Sequence, residues 1–409
     1  MTQSVYVIGV GMTRFGKHLD RTLKSLVAEA VGEALADAGL SGAQLQAAYF
    51  GTAATAVTVG QVMVPGQAAL RAMGISRIPV VNVENACASA ATAFQQAFQM
   101  IALGGYDVVL AVGAEKLFCA DREKTFAVFD GAVDFEDFEG VSTDLQRRIA
   151  AAGVATDGGA GRERSLFMDI YAAMALEHMR RHGSTQRDFA EVAAKTSFHG
   201  SLNPKAQFQQ VLSVEDVLAA RPITWPLTLP MCSPIGDGAA AAILASQSFV
   251  RRAGCAAPVR VRASVLRSGW NYGPEEAAVA EEVAREAYSS AGIDVVDIDV
   301  VELHDASAPA ELICYEQLGL CPRGEGARFA REGHGRLGGR TPVNPSGGLL
   351  RKGHPVGATG LAQIHELTLQ LRGAGGARQV EGARIAVAEN GGGYLGHDAA
   401  AMVISVLES

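Results

Sequence analysis

Charge is scarce in this chain, and its balance is negative. Only 19% of the 409 residues are Asp, Glu, Lys or Arg, and the formal net charge is −8. A nucleic-acid binder needs a basic face for phosphate contacts, so that class is set aside. Aromatic residues make up 6%. The six cysteines, at 87, 119, 232, 255, 314 and 321, include no C-x-x-C pair and no zinc-finger spacing with histidine. Neither a disulfide framework nor a structural zinc site is expected, and no resident metal. Apolar runs such as Ala239 to Ala245 fall far short of the ~18 residues of a membrane span. The start, Met1 to Ile8, enters a strand directly and has no charged signal region. A cytoplasmic protein with free thiols is the expectation.

What remains is a well-buried globular chain, 48% apolar and rich in glycine at 47 residues. Strand and helix patterns alternate from the start. Val5 to Val10 reads as a strand, and Leu23, Leu26, Val27, Ala30, Val31 and Ala34 recur at helical spacing up to a C-cap at Gly39. Strands follow at Tyr49 to Gly51, Pro79 to Val83 and Asp107 to Val112, the last a continuous apolar run suited to a sheet covered on both faces. The phrase then recurs: strand at Val259, helix from Val279 to Gly292, strands at Val300, Ala383 and Ala400. Ala38-Gly39-Leu40 and Ala291-Gly292-Ile293 each precede a strand by the same interval, and Asp237 and Asp398 each open an alanine-rich strand. Two similar α/β halves are expected. Residues 119 to 224 break the pattern, with an acidic, aromatic stretch at 134 to 139, a helix from Leu166, and a capping box at Thr185 to Asp188. The expected domains are 1–118 with 225–255, an inserted loop domain over 119–224, and 256–409.

Four places carry chemistry. Cys87, in Asn85-Ala86-Cys87-Ala88-Ser89, stands where a small-residue helix begins. A helix N-terminus should lower the thiol pKa and make it a nucleophile; the plainer alternative is a buried structural cysteine. Asn344-Pro345-Ser346-Gly347-Gly348 and Lys352-Gly353-His354-Pro355 form a glycine-dense loop, with His354 a candidate base, before a helix from Thr359 to Leu371. His304-Asp305 closes a strand, at the end where α/β folds place ligands. Glu389-Asn390-Gly391-Gly392-Gly393 follows another strand, and its amides are suited to an oxyanion.

Together these motifs resemble the thiolase superfamily over nearly the whole chain. Asn85-x-x-Cys87-x-Ser89 is similar to its nucleophile motif. Val343 to Gly348 with Gly353-His354-Pro355-x-Gly357-Ala358-Thr359-Gly360 is similar to its histidine motif. His304-Asp305 and the segment His199 to Pro204, with Gln207-Phe208, are most similar to the sterol-carrier-protein-X type. The resemblance implies a thiolase-like fold, two mixed-sheet halves in αβαβα layers, and an enzyme using coenzyme A as co-substrate with no permanently bound cofactor. It implies that Cys87 attacks a 3-oxoacyl-CoA, that His354 takes its proton, and that His304 and His354 hold the enolate oxygen. The amides of Cys87 and of Gly391 or Gly392 would hold the tetrahedral oxyanion. Asn344, Ser346, Gly347, Gly348 and His199 would contact substrate. CoA phosphates would lie near some of Arg122, Lys124, Arg147, Arg148, Arg162 and Arg164.

The chain departs from the pattern in one respect. The second cysteine, which protonates the departing enolate, is absent: Ala306 stands at one usual position and Glu389 or Asn390 at the other. Cys232 matches neither. His304, Asp305 or Glu389 would supply the proton. That loss resembles thiolase-like subunits partnered by a small zinc-ribbon/OB-fold protein, benzoylsuccinyl-CoA thiolase among them. Thiolysis of a 3-oxoacyl-CoA is the leading expectation, with an aromatic or branched substrate such as benzoylsuccinyl-CoA one candidate, in a homodimer or a dimer of heterodimers. A retro-aldol lyase, a C-acyltransferase in such a complex, and a non-catalytic acyl-CoA scaffold are the alternatives.

Overall fold

A computed structural model describes residues 3–119, 121–154, 164–273 and 276–409. The strands, in chain order, are β1 (Val5–Met12), β2 (Ala47–Gly51), β3 (Val80–Val83), β4 (Val108–Glu115), β5 (Pro222–Thr224), β6 (Leu227–Thr228), β7 (Gly238–Ser246), β8 (Val259–Ser268), β9 (Val300–Glu302), β10 (Ile385–Gly392) and β11 (Ala401–Glu408). All but the β5–β6 ribbon join one sheet in the order β3-β2-β4-β7-β1-β8-β11-β10-β9.

The repeat is visible in that order. Counting outward from the centre, β1, β7, β4 and β2 match β8, β11, β10 and β9. In each half the first two pairings are antiparallel and the third is parallel. The halves are not two separate sheets. They meet edge to edge where Val5, Tyr6 and Val7 pair with Val261, Arg260 and Val259.

Two helices, Ser89–Ala102 and Thr359–Leu371, pack against each other and against strands of both halves, forming the central layer. Gly360 lets them approach, since a Cβ there would lie 2.5 Å from the Ala91 nitrogen. Helix Leu23–Ala38 covers the outer face of the first half, and Val279–Ala291 with Ala308–Gln317 covers that of the second. The layering is therefore αβαβα. Between β4 and β7, five α-helices run among the described residues, including Leu166–His182, capped by Gly183, and Gln186–Ser201, opened by the Thr185–Asp188 box. Among the described residues no helix is long and apolar enough to cross a membrane.

Two local expectations are corrected. The central helix begins at Ser89, not at Cys87. Glu389 to Gly392 is not a loop after a strand but the end of β10, paired with Ile404 to Ala401. Gly392 is required there because a Cβ would lie 2.1 Å from the Asn85 oxygen.

Candidate active site

Cys87 sits in the turn between β3 and the helix Ser89–Ala102. The turn is held tightly: the Asn85 amide donates to Ser89 Oγ at 2.9 Å, and Asn85 Nδ2 donates to Thr92 Oγ1 at 2.9 Å. Ala86, just before the cysteine, has φ of +48°, a strained conformation for a residue with a Cβ. Across from it, His354 Nε2 lies 3.3 Å from Cys87 Sγ, and His354 Nδ1 lies 2.7 Å from Thr359 Oγ1. The Thr359 hydroxyl donates its only proton to the Pro355 carbonyl at 3.1 Å. It must therefore accept from Nδ1–H, which leaves Nε2 as the unprotonated nitrogen facing the thiol.

The expected low thiol pKa is not what this site produces. Burial, reinforced by the Glu115 carboxylate, pushes Cys87 up to about 12, against the Gly393 and Cys87 amides, which pull it down. Desolvation outweighs the helix end because the sulfur is almost sealed from water and sits before the helix's first turn. Burial, with His304 beside it, holds His354 well below the ordinary imidazole range. The resting pair is a neutral thiol and a neutral imidazole.

His304 faces the same space. Its ring centroid is 5.2 Å from that of His354, and its Nε2 is buried with no hydrogen-bond partner among the described residues. Burial lowers it to about 4. The Glu389 Oε2 accepts from the His304 amide at 2.8 Å, and burial raises this carboxyl to about 7. Cys87, His304, Glu389, Gly391 and Gly393 share the wall of an 80 Å³ cavity. A second cavity of 220 Å³ also reaches Cys87 and His354, with Phe129, Tyr171, Ser233, Arg164 and Arg221 in its wall.

Residues 5–217 match the thiolase N-terminal domain, and residues 275–405 match a thiolase C-terminal domain-like unit. The chain belongs to the thiolase family. It is an acyltransferase of that family. Among its relatives is sterol carrier protein 2 of Oryctolagus cuniculus, 37% identical over 98% of this chain and 71% of that one. An acetyl-CoA acetyltransferase of Methanothermobacter thermautotrophicus is 36% identical over 96% and 97%. The benzoylsuccinyl-CoA thiolase subunit BbsB of Thauera aromatica is 35% identical over 93% and 92%. Two solved structures share the thiolase fold. An Ltp2-ChsH2(DUF35) aldolase has a TM-score of 0.77 at 24% identity, covering 100% of this chain and 98% of that one. Human mitochondrial 3-ketoacyl-CoA thiolase has 0.70 at 18%, covering 100% and 99%.

Within this thiolase, several residues singled out by motif lie behind the site rather than in it. Asn344 Oδ1 accepts from the Leu303 amide and its Nδ2 donates to Glu311, both at 2.9 Å. Ser346 donates to Glu302 at 2.7 Å, and Lys352 caps the same carboxylate at 2.9 Å. Both nitrogens of His199 are used, toward the Asn344 carbonyl at 3.0 Å and the Leu337 amide at 3.1 Å. Gly347 and Gly348 are buried in the turn above them. None of these five lines either cavity at Cys87. They are a fully bonded buried scaffold that sets the path of the chain into His354. Asp305 is also turned away, accepting from the Leu349 amide at 2.7 Å.

The Gly391 and Gly393 backbones line the small cavity at Cys87, while Gly392 closes against Asn85 and Ala88. Of the six basic residues expected near the CoA phosphates, Arg164 is the one among the described residues that lines a cavity at Cys87, where it also grips Asp169 at 2.7 and 2.9 Å. Lys124 is exposed, Arg147 pairs with Asp144, and Arg148 donates to the Tyr394 hydroxyl at 2.7 Å. Arg162 and the Arg122 side chain lie outside the described residues. Sequence reasoning placed Thr359 in the histidine motif and at a helix start but gave it no role, and it missed Arg221. It also missed Cys314, whose sulfur is 4.0 Å from Glu389 Oε2 in the small cavity. Arg221 and Cys314 had no motif around them, and only the fold brings them in.

Proposed function

We propose that this thiolase cleaves 3-oxoacyl-CoA substrates with CoA through an acyl-enzyme on Cys87. The single observation that carries the reading is the 3.3 Å contact of Cys87 Sγ with the unprotonated His354 Nε2. As Sγ adds to C3 of the substrate, its proton passes to Nε2, so no free thiolate is needed beforehand. The amides of Cys87 and Gly393 hold the oxyanion on C3. The C2–C3 bond then breaks, and its electron pair leaves with the acyl-CoA part as an enolate whose oxygen meets His304 and His354. Glu389, a carboxyl in the wall of the small cavity at Cys87, gives C2 its proton, whereas Asp398 in the same wall accepts from the Tyr272 hydroxyl and the Val279 amide. Glu389 takes the place of the missing cysteine, and Asp305 is set aside because its oxygens are bound behind the loop. Free CoA attacks the acyl-enzyme and gives its thiol proton to the Glu389 carboxylate, while the Cys87 sulfur leaves and takes back the proton held on His354 Nε2.

The 220 Å³ cavity is the proposed entry for the CoA arm, with Arg164 and Arg221 in its wall for phosphates. Phe129, Phe167 and Tyr171 beside Cys87 support an aromatic or branched acyl group, of which benzoylsuccinyl-CoA is an example. The enzyme is proposed to work in the cytoplasm as a homodimer. A zinc-ribbon/OB-fold subunit is proposed as a further partner. What supports it is the absent second cysteine, together with a relative named as a subunit and a fold neighbour titled as a DUF35 complex.

The test is intact-protein mass after incubation with a panel of acyl-CoAs, aryl and succinyl types included. An adduct on the wild type that Cys87→Ala lacks is the expected result, and its mass names the acyl group. Carbon–carbon cleavage that survives Cys87→Ala would overturn the covalent route in favour of a retro-aldol lyase.

A further inference from the structure

His178 and His182 stand one turn apart on the helix Leu166–His182, and Glu316 faces them from the helix Ala308–Gln317. One donor atom from each of the three falls within 4.8 Å of the others. The two imidazole rings are 4.8 Å apart, and His178 Nε2 lies 3.0 Å from Glu316 Oε1. Donors at zinc distances around a tetrahedral ion are ~3.3 Å apart, so the His178–Glu316 pair is already near that spacing. His182, on the exposed side, can complete it by a rotamer change.

Two further features favour a cation here. Both helices end at this point, with caps at Gly183 and Leu318, so their negative dipole ends converge on it. The donors are also held from behind. His178 Nδ1 bonds Ser184 Oγ at 2.9 Å, and Glu316 accepts the Gly324 and Gly326 amides at 2.8 Å each. The neighbouring cations are already paired, Arg181 with Glu177 and Arg323 with Glu281.

We propose that His178, His182 and Glu316 form a site for a borderline divalent metal ion such as zinc. All three line a 540 Å³ cavity, so the remaining coordination positions face its solvent. The ion takes the place of the hydrogen between His178 Nε2 and Glu316, and the imidazole keeps its proton on Nδ1, toward Ser184 Oγ. It ties the inserted helix to the helix that carries Ile313, Cys314 and Gln317, part of the wall of the small cavity at Cys87. The proposal is independent of the thiolysis reading.

Cys87, His304 and His354 also bring three donors within 4.8 Å, so the test removes that competitor first. Chelator-treated full-length Cys87→Ala is dialysed against zinc chloride and its metal content measured, with thermal melts alongside. One retained equivalent that raises the melting temperature is expected. Both effects should vanish in Cys87→Ala/His182→Ala, where only an exposed side chain is shortened, and in Cys87→Ala/Glu316→Gln. Cys87→Ala that retains no zinc, or double variants that retain as much as it does, would overturn the site.

Discussion

Thr359 decides which nitrogen of His354 faces the nucleophile. Its hydroxyl proton is committed to the Pro355 carbonyl, so it accepts from Nδ1 and leaves Nε2 free toward Cys87 at 3.3 Å. Because burial keeps Cys87 near 12, the attack depends on this nitrogen taking the proton as the bond forms. His354→Ala should lower kcat by roughly 10²–10⁴-fold. Thr359→Val, which keeps shape but loses the acceptor, should lower kcat roughly tenfold or more with KM little changed, at about 1 kcal/mol of stability. Steady-state kinetics on both variants checks this. Unimpaired turnover in Thr359→Val would mean the tautomer is set elsewhere.

Glu389 makes the reaction sensitive to pH. Its carboxyl, raised by burial to about 7, must be protonated to donate to the enolate, so cleavage should decline as pH climbs through that value. Glu389→Gln should lose most turnover and with it this decline. Stability follows the same sign. A carboxyl raised in the folded state stabilises fully below its unfolded value of 4.5, and that contribution is lost as pH rises through about 7. Denaturant melts across this window should show a loss on the order of a few kcal/mol that is smaller in Glu389→Gln. Equal pH slopes for wild type and variant would remove Glu389 from the account.

Much of this was legible in the residues because it rests on local pattern. The strands β1, β2, β4 and β8 to β11 follow apolar runs, and the Gly39, Gly183 and Gly292 caps follow from a lone glycine after a helical period. Cys87, His304, His354 and Glu389 converge as the motifs implied. What sequence did not give was environment. The thiol's pKa depends on how completely Cys87 is sealed, which no window of residues encodes. Asn344 and Ser346 look like site residues because they adjoin His354 in the chain, yet their partners Glu311 and Glu302 come from distant segments.

That distinction can be measured at Asn344. Replacing it with alanine strands the Leu303 amide and Glu311 Oε2, whose Oε1 keeps Lys195 and Tyr315, and it puts a Cβ-bearing residue without a polar side chain at φ of +55°. Asn344→Ala should cost roughly 2–4 kcal/mol of stability, read from denaturant melts, and leave KM for CoA unchanged in the protein that folds. A raised KM at undiminished stability would instead return Asn344 to substrate binding.

Arg221 and Arg164 share a cavity but should behave differently. Arg164 is locked to Asp169, which also accepts from Thr224, so its removal should reduce stability as well as binding. No hydrogen bond or ion pair of the Arg221 guanidinium is among the described contacts, and it lines the same wall. Arg221→Ala should raise KM for CoA several-fold with kcat and melting temperature nearly unchanged. Dephospho-CoA and pantetheine as acceptors locate the effect, because the penalty should disappear once the phosphates are gone.

The far edge of the first half is left open. β3 ends the sheet, and among the described residues no strand lies beside its outer backbone. Next to it, Val62 and Met63 are 68% and 74% exposed, with Val57, Val59, Val64 and Val81 also out in solvent. An apolar patch beside an unpaired edge strand invites association, and none of these side chains carries the charge that natural edges use to prevent it. A second copy of the chain is the occupant proposed above, paired through this edge. Light scattering should give a dimer mass for the wild type and a monomer mass for Val62→Lys/Val81→Lys. The helix Ser89–Ala102 starts a few residues beyond β3, so separation should also loosen the Cys87 turn and lower kcat. A wild type that remains monomeric at micromolar concentration, or a dimer indifferent to both lysines, would place the interface elsewhere.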